Sequence, residues 1–249
     1  MAGQSINHLI SWQTGNDYSI SNVKSKLDLL ETGLYMTHSH GLGTAVFVRC
    51  SKSICSGVDK LQGKIRRVVT GHNADGKSIL MSDGLAPSVL SDPKRPGRFV
   101  TQLWVTDSIP VPITPGAKDN DRPVKLEPPR IGAALKIVEL PPATLEALQK
   151  TGQAEEAESF SRMGAASATT HSDANKQAYM HRTSTFDYGI VLDGEAYLIL
   201  DETEVLMRAG DVIIQDGTNH SWSNRSDKPC RLAFFMMGGE IDPALSELF

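Results

Sequence analysis

His181 and Thr183, Asp187 after three further residues, and Gly194 after six more form one polar run in the C-terminal third of the chain. Gly210, Asp216, His220, Trp222 and Asn224 form a second. Imidazoles and carboxyls together can hold a metal, move a proton as general acid and base, or fix a polar ligand. Strand side chains alternate between faces, so His181 and Thr183 share one face, and His220, Trp222 and Asn224 share another. Closing the strands into a small barrel aims both faces at one interior. A cluster of His, Asp and Asn there is costly unless it meets a metal, a ligand or ordered water.

The elements that must position these residues read as short strands. From Tyr179 onward, turn signals recur every eight to twelve residues. Tyr188–Leu192 leads into Asp193-Gly194, which reads as a hairpin turn before Glu195–Leu200. Val205–Arg208, Val212–Gln215, His220–Asn224 and Cys230–Met237 follow, and regular short strands of this kind indicate a sandwich or barrel. Upstream, Arg66–Thr70 and Lys77–Met81 flank a hairpin turn, and Phe99–Thr106 and Ala133–Leu140 read as strands. The proline-rich, charged stretch Asp107–Arg130 reads as a surface loop or lid. Ala143–Lys150 and Gln153–Met163 have the composition of short helices. In residues 1–62 the only candidate elements are a helix, Val23–Thr32, and a strand, Thr44–Arg49. The expected organisation is an extension of unknown role over 1–62, outer strands, loop and short helices over 63–178, and a barrel core over 179–249.

The two polar runs resemble the paired motifs of the cupins. The first cupin motif places His-x-His, then Glu, then Gly; here His181, Thr183, Asp187 and Gly194 fall on that frame. The second runs from Gly through Pro to His and Asn; here Gly210, Asp216, His220 and Asn224 fall on it, with one residue fewer in the turn. The resemblance implies a mainly β fold, an antiparallel jelly-roll barrel with an N-terminal extension and a few short helices. It also implies a metal position with His181, Asp187 and His220 as a two-histidine, one-carboxylate set suited to Fe(II), Mn(II), Ni(II) or Zn(II). Thr183 replaces a histidine and Asp187 a longer glutamate, so the site holds one such divalent metal or none. Without metal, His220, His181 and Asp187 remain an acid–base set, with Thr183, Trp222 and Asn224 as substrate contacts.

The function that follows is a small-molecule enzyme of specialised, polyketide or aromatic metabolism. It would work as an acid–base lyase, cyclase, isomerase or decarboxylase. The alternatives are an Fe(II)-dependent cupin dioxygenase and a non-catalytic ligand-binding cupin. Other candidates read as structural. The His38-Ser39-His40 run lacks a carboxylate at the right spacing, His72 lies in a turn and His171 in a linker, so all read as surface positions. Trp104, Phe234 and Phe235 read as core.

Net charge of -4 and the lack of a basic stripe argue against nucleic acid or an anionic membrane as partner. Three cysteines, Cys50, Cys55 and Cys230, without a CxxC pair fit a reducing compartment. With no leader pattern or membrane-length apolar run, a cytoplasmic protein is expected. Barrel edge strands invite pairing, so a homodimer is expected as well.

Overall fold

Alternation along one strand shows how the sequence becomes a cavity wall. In Thr185–Asp193, residues Thr185, Asp187, Gly189 and Val191 are buried, while Tyr188, Ile190 and Leu192 face outward. A computed structural model of the chain describes residues 63–116, 120–144, 151–170 and 177–249. The helix Val23–Thr32, the strand Thr44–Arg49, His38, His40, Cys50, Cys55, His171 and most of Ala143–Lys150 lie outside the described residues.

The order is β1 (Arg66–His72), β2 (Ser78–Leu85), β3 (Val89–Ser91), β4 (Phe99–Thr106), β5 (Ala133–Leu140) and helix α1 (Gln153–Ser161). Then come β6 (Thr185–Asp193), β7 (Glu195–Ile199), β8 (Glu204–Arg208), β9 (Val212–Asp216), β10 (Ser221–Ser223), β11 (Cys230–Gly238) and the short α2 (Pro243–Ser246). Among the described residues every strand pairing is antiparallel, as expected for a jelly-roll barrel. A six-stranded sheet runs β3-β4-β5-β11-β6-β9, a three-stranded sheet runs β10-β7-β8, and β1-β2 form a separate hairpin. Leu198 and Met207 of the smaller sheet join Leu140, Val191, Leu232 and Phe234 of the larger in one apolar core.

Three local readings are corrected. Asp193-Gly194 is a corner between sheets, because β6 pairs with β9 and β11 whereas β7 pairs with β8 and β10. Gly194 has φ +73°, and a Cβ there would lie 2.6 Å from the Pro229 carbonyl oxygen, so the corner requires glycine. The second half of Asp107–Arg130 is packed, with Asn120 and Val124 buried. Asn120 seals β4 by accepting from Val105 N at 2.6 Å and donating to Val105 O at 2.6 Å. Phe235, on the outward face of β11, is exposed, while Phe234 points inward.

A β-bulge at Leu103 separates the β4–β5 pairs Gln102↔Lys136 and Trp104↔Leu135. One extra residue there lets Val100 face the interior while Trp104 takes the Arg67 guanidinium on its outer side, 5.8 Å from the ring centre.

Candidate functional site

The backbone brings the two histidines together. His181 N donates to His220 O at 2.9 Å and His220 N donates to His181 O at 3.0 Å. This reciprocal pair is one rung of an antiparallel ladder, which sets the side chains side by side. The rings stand 4.3 Å apart between centres, tilted by 51°. Each Nδ1 meets a main-chain carbonyl, Tyr179 O at 3.0 Å for His181 and Thr218 O at 2.8 Å for His220. Nδ1 must therefore carry the proton, which leaves Nε2 with the lone pair on both rings. Burial lowers His181 to about 3, with added repulsion from His220, and lowers His220 to about 4. Both rings are neutral acceptors at physiological pH.

Asp187 enters the same cavity from the middle of β6. Its Oδ1 is closed to solvent and has no hydrogen-bond partner. Burial raises its pKa to about 6, against a Thr185 hydroxyl contact and the charge of Lys136, which favour the carboxylate. Thr185 Oγ1 in turn lies 2.7 Å from Thr183 Oγ1. Thr183 therefore supports the Asp187 wall through Thr185. Gln215, opposite Asp187 in the β6–β9 register, is buried with both ends of its amide unpartnered.

Lys136 of β5 was not among the expected site residues. It is buried, and its Nζ donates to Lys125 O and Leu126 O, each at 2.6 Å, and approaches Met236 Sδ at 3.4 Å. Burial lowers it to about 8, opposed by the negative charges of Asp187 and Glu127. The sequence did carry a signal: Lys136 is a lone charge in the apolar run AALKIVEL. Its partners come from the 107–130 stretch, whose packed half closes this side of the cavity.

Apolar side chains make up much of the remaining wall, among them Val138, Phe160, Met163, Leu232 and Phe234. Trp222 is there as expected, packed edge-on against Phe234 at 5.9 Å, and its buried Nε1 has no partner. Asn224 is absent from the cavity lining, which corrects its assignment as a substrate contact. It donates to Leu140 O at 2.9 Å and Lys228 O at 2.7 Å, and accepts from Ser226 N at 3.0 Å. Those bonds tie the β10–β11 turn to the end of β5. Two further residues escaped the sequence reading, Arg95 and Arg98, which reach the cavity from the β3–β4 loop.

The expected metal set does not fit. Among the described residues, no three His, Cys, Asp or Glu side chains converge closely enough to hold an ion. The layout explains this. The imidazoles pack on each other, and the charges acting on His181 are those of His220 and Arg98. Those acting on Asp187 are Lys136 and Glu127. The shorter Asp187 does not join the two imidazoles in a group able to hold an ion, and the Thr183 hydroxyl is engaged with Thr185.

Residues 169–237 match the family model described as "Cupin domain". Among similar proteins, "Phomopsin biosynthesis cluster protein C'" of Diaporthe leptostromiformis is 55% identical over 51 residues, 20% of this chain and 27% of that protein. "Cupin-domain-containing oxidoreductase virC" of Hypocrea virens is 26% identical over 166 residues, 64% of this chain and 66% of that one. The matched stretches thus span between about a quarter and two thirds of these relatives. A solved "Cupin 2 conserved barrel domain protein" from Salinispora arenicola overlaps 61% of this chain and 82% of its own at 12% identity, with a TM-score of 0.31. Among the described residues, no helix is long and apolar enough to cross a membrane.

Proposed function

Residues 169–237 form a cupin domain, and on that premise we propose that the chain is a small-molecule enzyme whose barrel cavity carries out acid–base chemistry with Asp187 as the proton-transferring group. The observation that carries this reading is the state of Asp187. A carboxyl with an unpartnered oxygen faces an apolar cavity with its pKa raised to about 6. A base poised near the working pH combines a high fraction of the reactive form with useful proton affinity.

Asp187 as carboxylate takes a proton from an activated carbon or hydroxyl of the substrate. Lys136, at about 8, stays largely protonated at neutral pH, and its ammonium stabilises negative charge developing nearby. The histidines take a different role from general base. Their Nε2 lone pairs accept hydrogen bonds from substrate hydroxyls and so orient the substrate. Decarboxylation, dehydration, cyclisation and isomerisation all draw on this set. Membership of relatives in "biosynthesis clusters" supports a place in specialised metabolism.

The test is solvent-deuterium exchange followed by NMR over a panel of compact aromatic and polyketide-like carbonyl compounds. Wild type is expected to exchange or convert at least one, with an acid limb near pH 6. Asp187→Asn is expected to be slower by about 10²- to 10⁴-fold. Full turnover in Asp187→Asn would overturn the reading.

The relatives described as cupin-domain-containing oxidoreductases favour a second reading, a cupin oxidoreductase such as a dioxygenase. Oxygen consumption together with stoichiometric iron in the purified protein would select it over the first. Ligand binding without turnover of any kind would select a non-catalytic cupin.

A further inference from the structure

The loop between β3 and β4 reads Asp92-Pro-Lys-Arg-Pro-Gly-Arg98. It is tightly folded: Arg95 N donates to Asp92 O at 3.0 Å, Arg98 N to Arg95 O at 2.9 Å, and Asp92 N to Arg98 O at 3.3 Å. Two prolines and the left-handed Gly97, φ 89°, fix its path. Both arginines line the cavity. The Arg95 guanidinium lies over Tyr179, 4.0 Å from the ring centre. Tyr179 itself holds φ 61°, a strained value for a non-glycine residue, and its carbonyl is the acceptor that orients His181.

Arg98 is half-buried, and its Nε is closed to solvent without a partner. The carboxylate acting on it is Asp92, whose oxygens are engaged by Lys94 N at 3.0 Å and Ser159 Oγ at 2.9 Å. Arg95 is faced by the charges of Asp92, Glu156 and Glu155, so it is Arg98, with an unmet donor on the cavity wall beside it, whose state an entering anion relieves. We propose that Arg95 and Arg98 form an anion subsite that receives the carboxylate of a substrate whose apolar body fills the remaining cavity.

Further features fit this assignment. Burial and the repulsion of Arg95 lower Arg98 to about 10, so it stays charged at neutral pH while lacking a strong counter-ion. Guanidinium matches a planar carboxylate through two parallel hydrogen bonds, and a rigid loop holds the fork in place before binding. Phe160 stacks beside both Tyr179 and His181, at 6.5 and 5.0 Å between ring centres. An apolar wall thus runs from the arginines to the imidazoles. The inference rests on the proposed function only in taking this cavity as the substrate site.

The probe is benzoate, with benzamide as its neutral counterpart, titrated calorimetrically into the full chain at low ionic strength. Wild type is expected to bind benzoate about 10- to 100-fold more tightly than benzamide, the range of a charged hydrogen bond. Arg98→Met is expected to erase that preference and Arg98→Lys to retain part of it, with Arg95→Met as the deciding variant if Arg98→Met does not fold. Equal binding of the two probes, no binding of benzoate, or an unchanged preference in the folded Met variants would overturn the subsite. A benzoate preference in a protein that turns over nothing counts against the acid–base reading alone. Turnover without a benzoate preference counts against the subsite alone.

Discussion

At the Asp187 side of the cavity, burial lifts a carboxyl to about 6 and lowers an ammonium to about 8, whereas at the histidine side it lowers two imidazoles to about 3 and 4. The physical cause is the same, loss of water around a charge. The consequence differs because the starting values differ. Carboxyl and ammonium start far from neutrality on opposite sides and are driven toward it. Imidazole starts near neutrality and is driven away. In this buried cavity the residue type most often associated with proton transfer is thus the less poised one.

This comparison is most strongly tested by stability against pH. Each histidine has a folded pKa below its ordinary value of 6.5, so its contribution is present above 6.5 and is lost as pH falls toward 4. Asp187 works in reverse: raised from 3.8 to about 6, it favours the folded state on the acid side of that window and loses this as pH rises through 6. The double variant His181→Gln/His220→Gln, set beside wild type in urea titrations from pH 7 to 4, should remove the histidine part. The difference between the two proteins should then change by at most about 2.7 kcal/mol per pH unit, two protons' worth. A constant difference across that range would show that the imidazoles are not buried neutral groups.

Asn224→Ala separates position in a motif from membership of the cavity. Removing four hydrogen bonds behind the wall should cost about 2–4 kcal/mol in a denaturant melt. The affinity of the folded fraction for a cavity ligand should stay within about twofold, and a large loss of affinity at full stability would restore Asn224 to the site. Lys136→Met sharpens the Asp187 side by removing the charge that favours its carboxylate. The Asp187 carboxyl resonance should then titrate above 6. Thr185→Val removes the hydroxyl contact, the larger of the two influences that hold Asp187 down, and a larger upward movement is expected by the same measurement. A midpoint unchanged in both variants would mean that neither group reaches Asp187.

Much of the barrel was legible because strand alternation survives in the sequence. Phe99–Thr106 and Ala133–Leu140 are strands with those boundaries, and Asp187 lies on the buried face that a period of two assigns to it. Spacing also brought His181, His220 and Trp222 to one cavity. It was blind to what arrives from elsewhere in the chain. Lys136 lies 51 positions before Asp187 and meets it only through the β5-β11-β6 order. Arg95 and Arg98 lie in a loop whose composition marks only a turn. Asp193-Gly194 misled because a hairpin and a corner between sheets both need a left-handed residue, and local sequence does not name the strand's next partner.

Gly189 sits between Asp187 and Val191 on the inner face of β6, where an added Cβ would fall 2.5 Å from Ile213 Cγ2 and 2.9 Å from Phe234 Cε1. The Phe234 ring occupies the berth that a missing side chain leaves. For the evolution of specificity this ties an outwardly simple position to the shape of the cavity. A side chain in place of Gly189 must displace Ile213, Phe234 or both, and Phe234 is part of the cavity wall, so variation here reaches the ligand space.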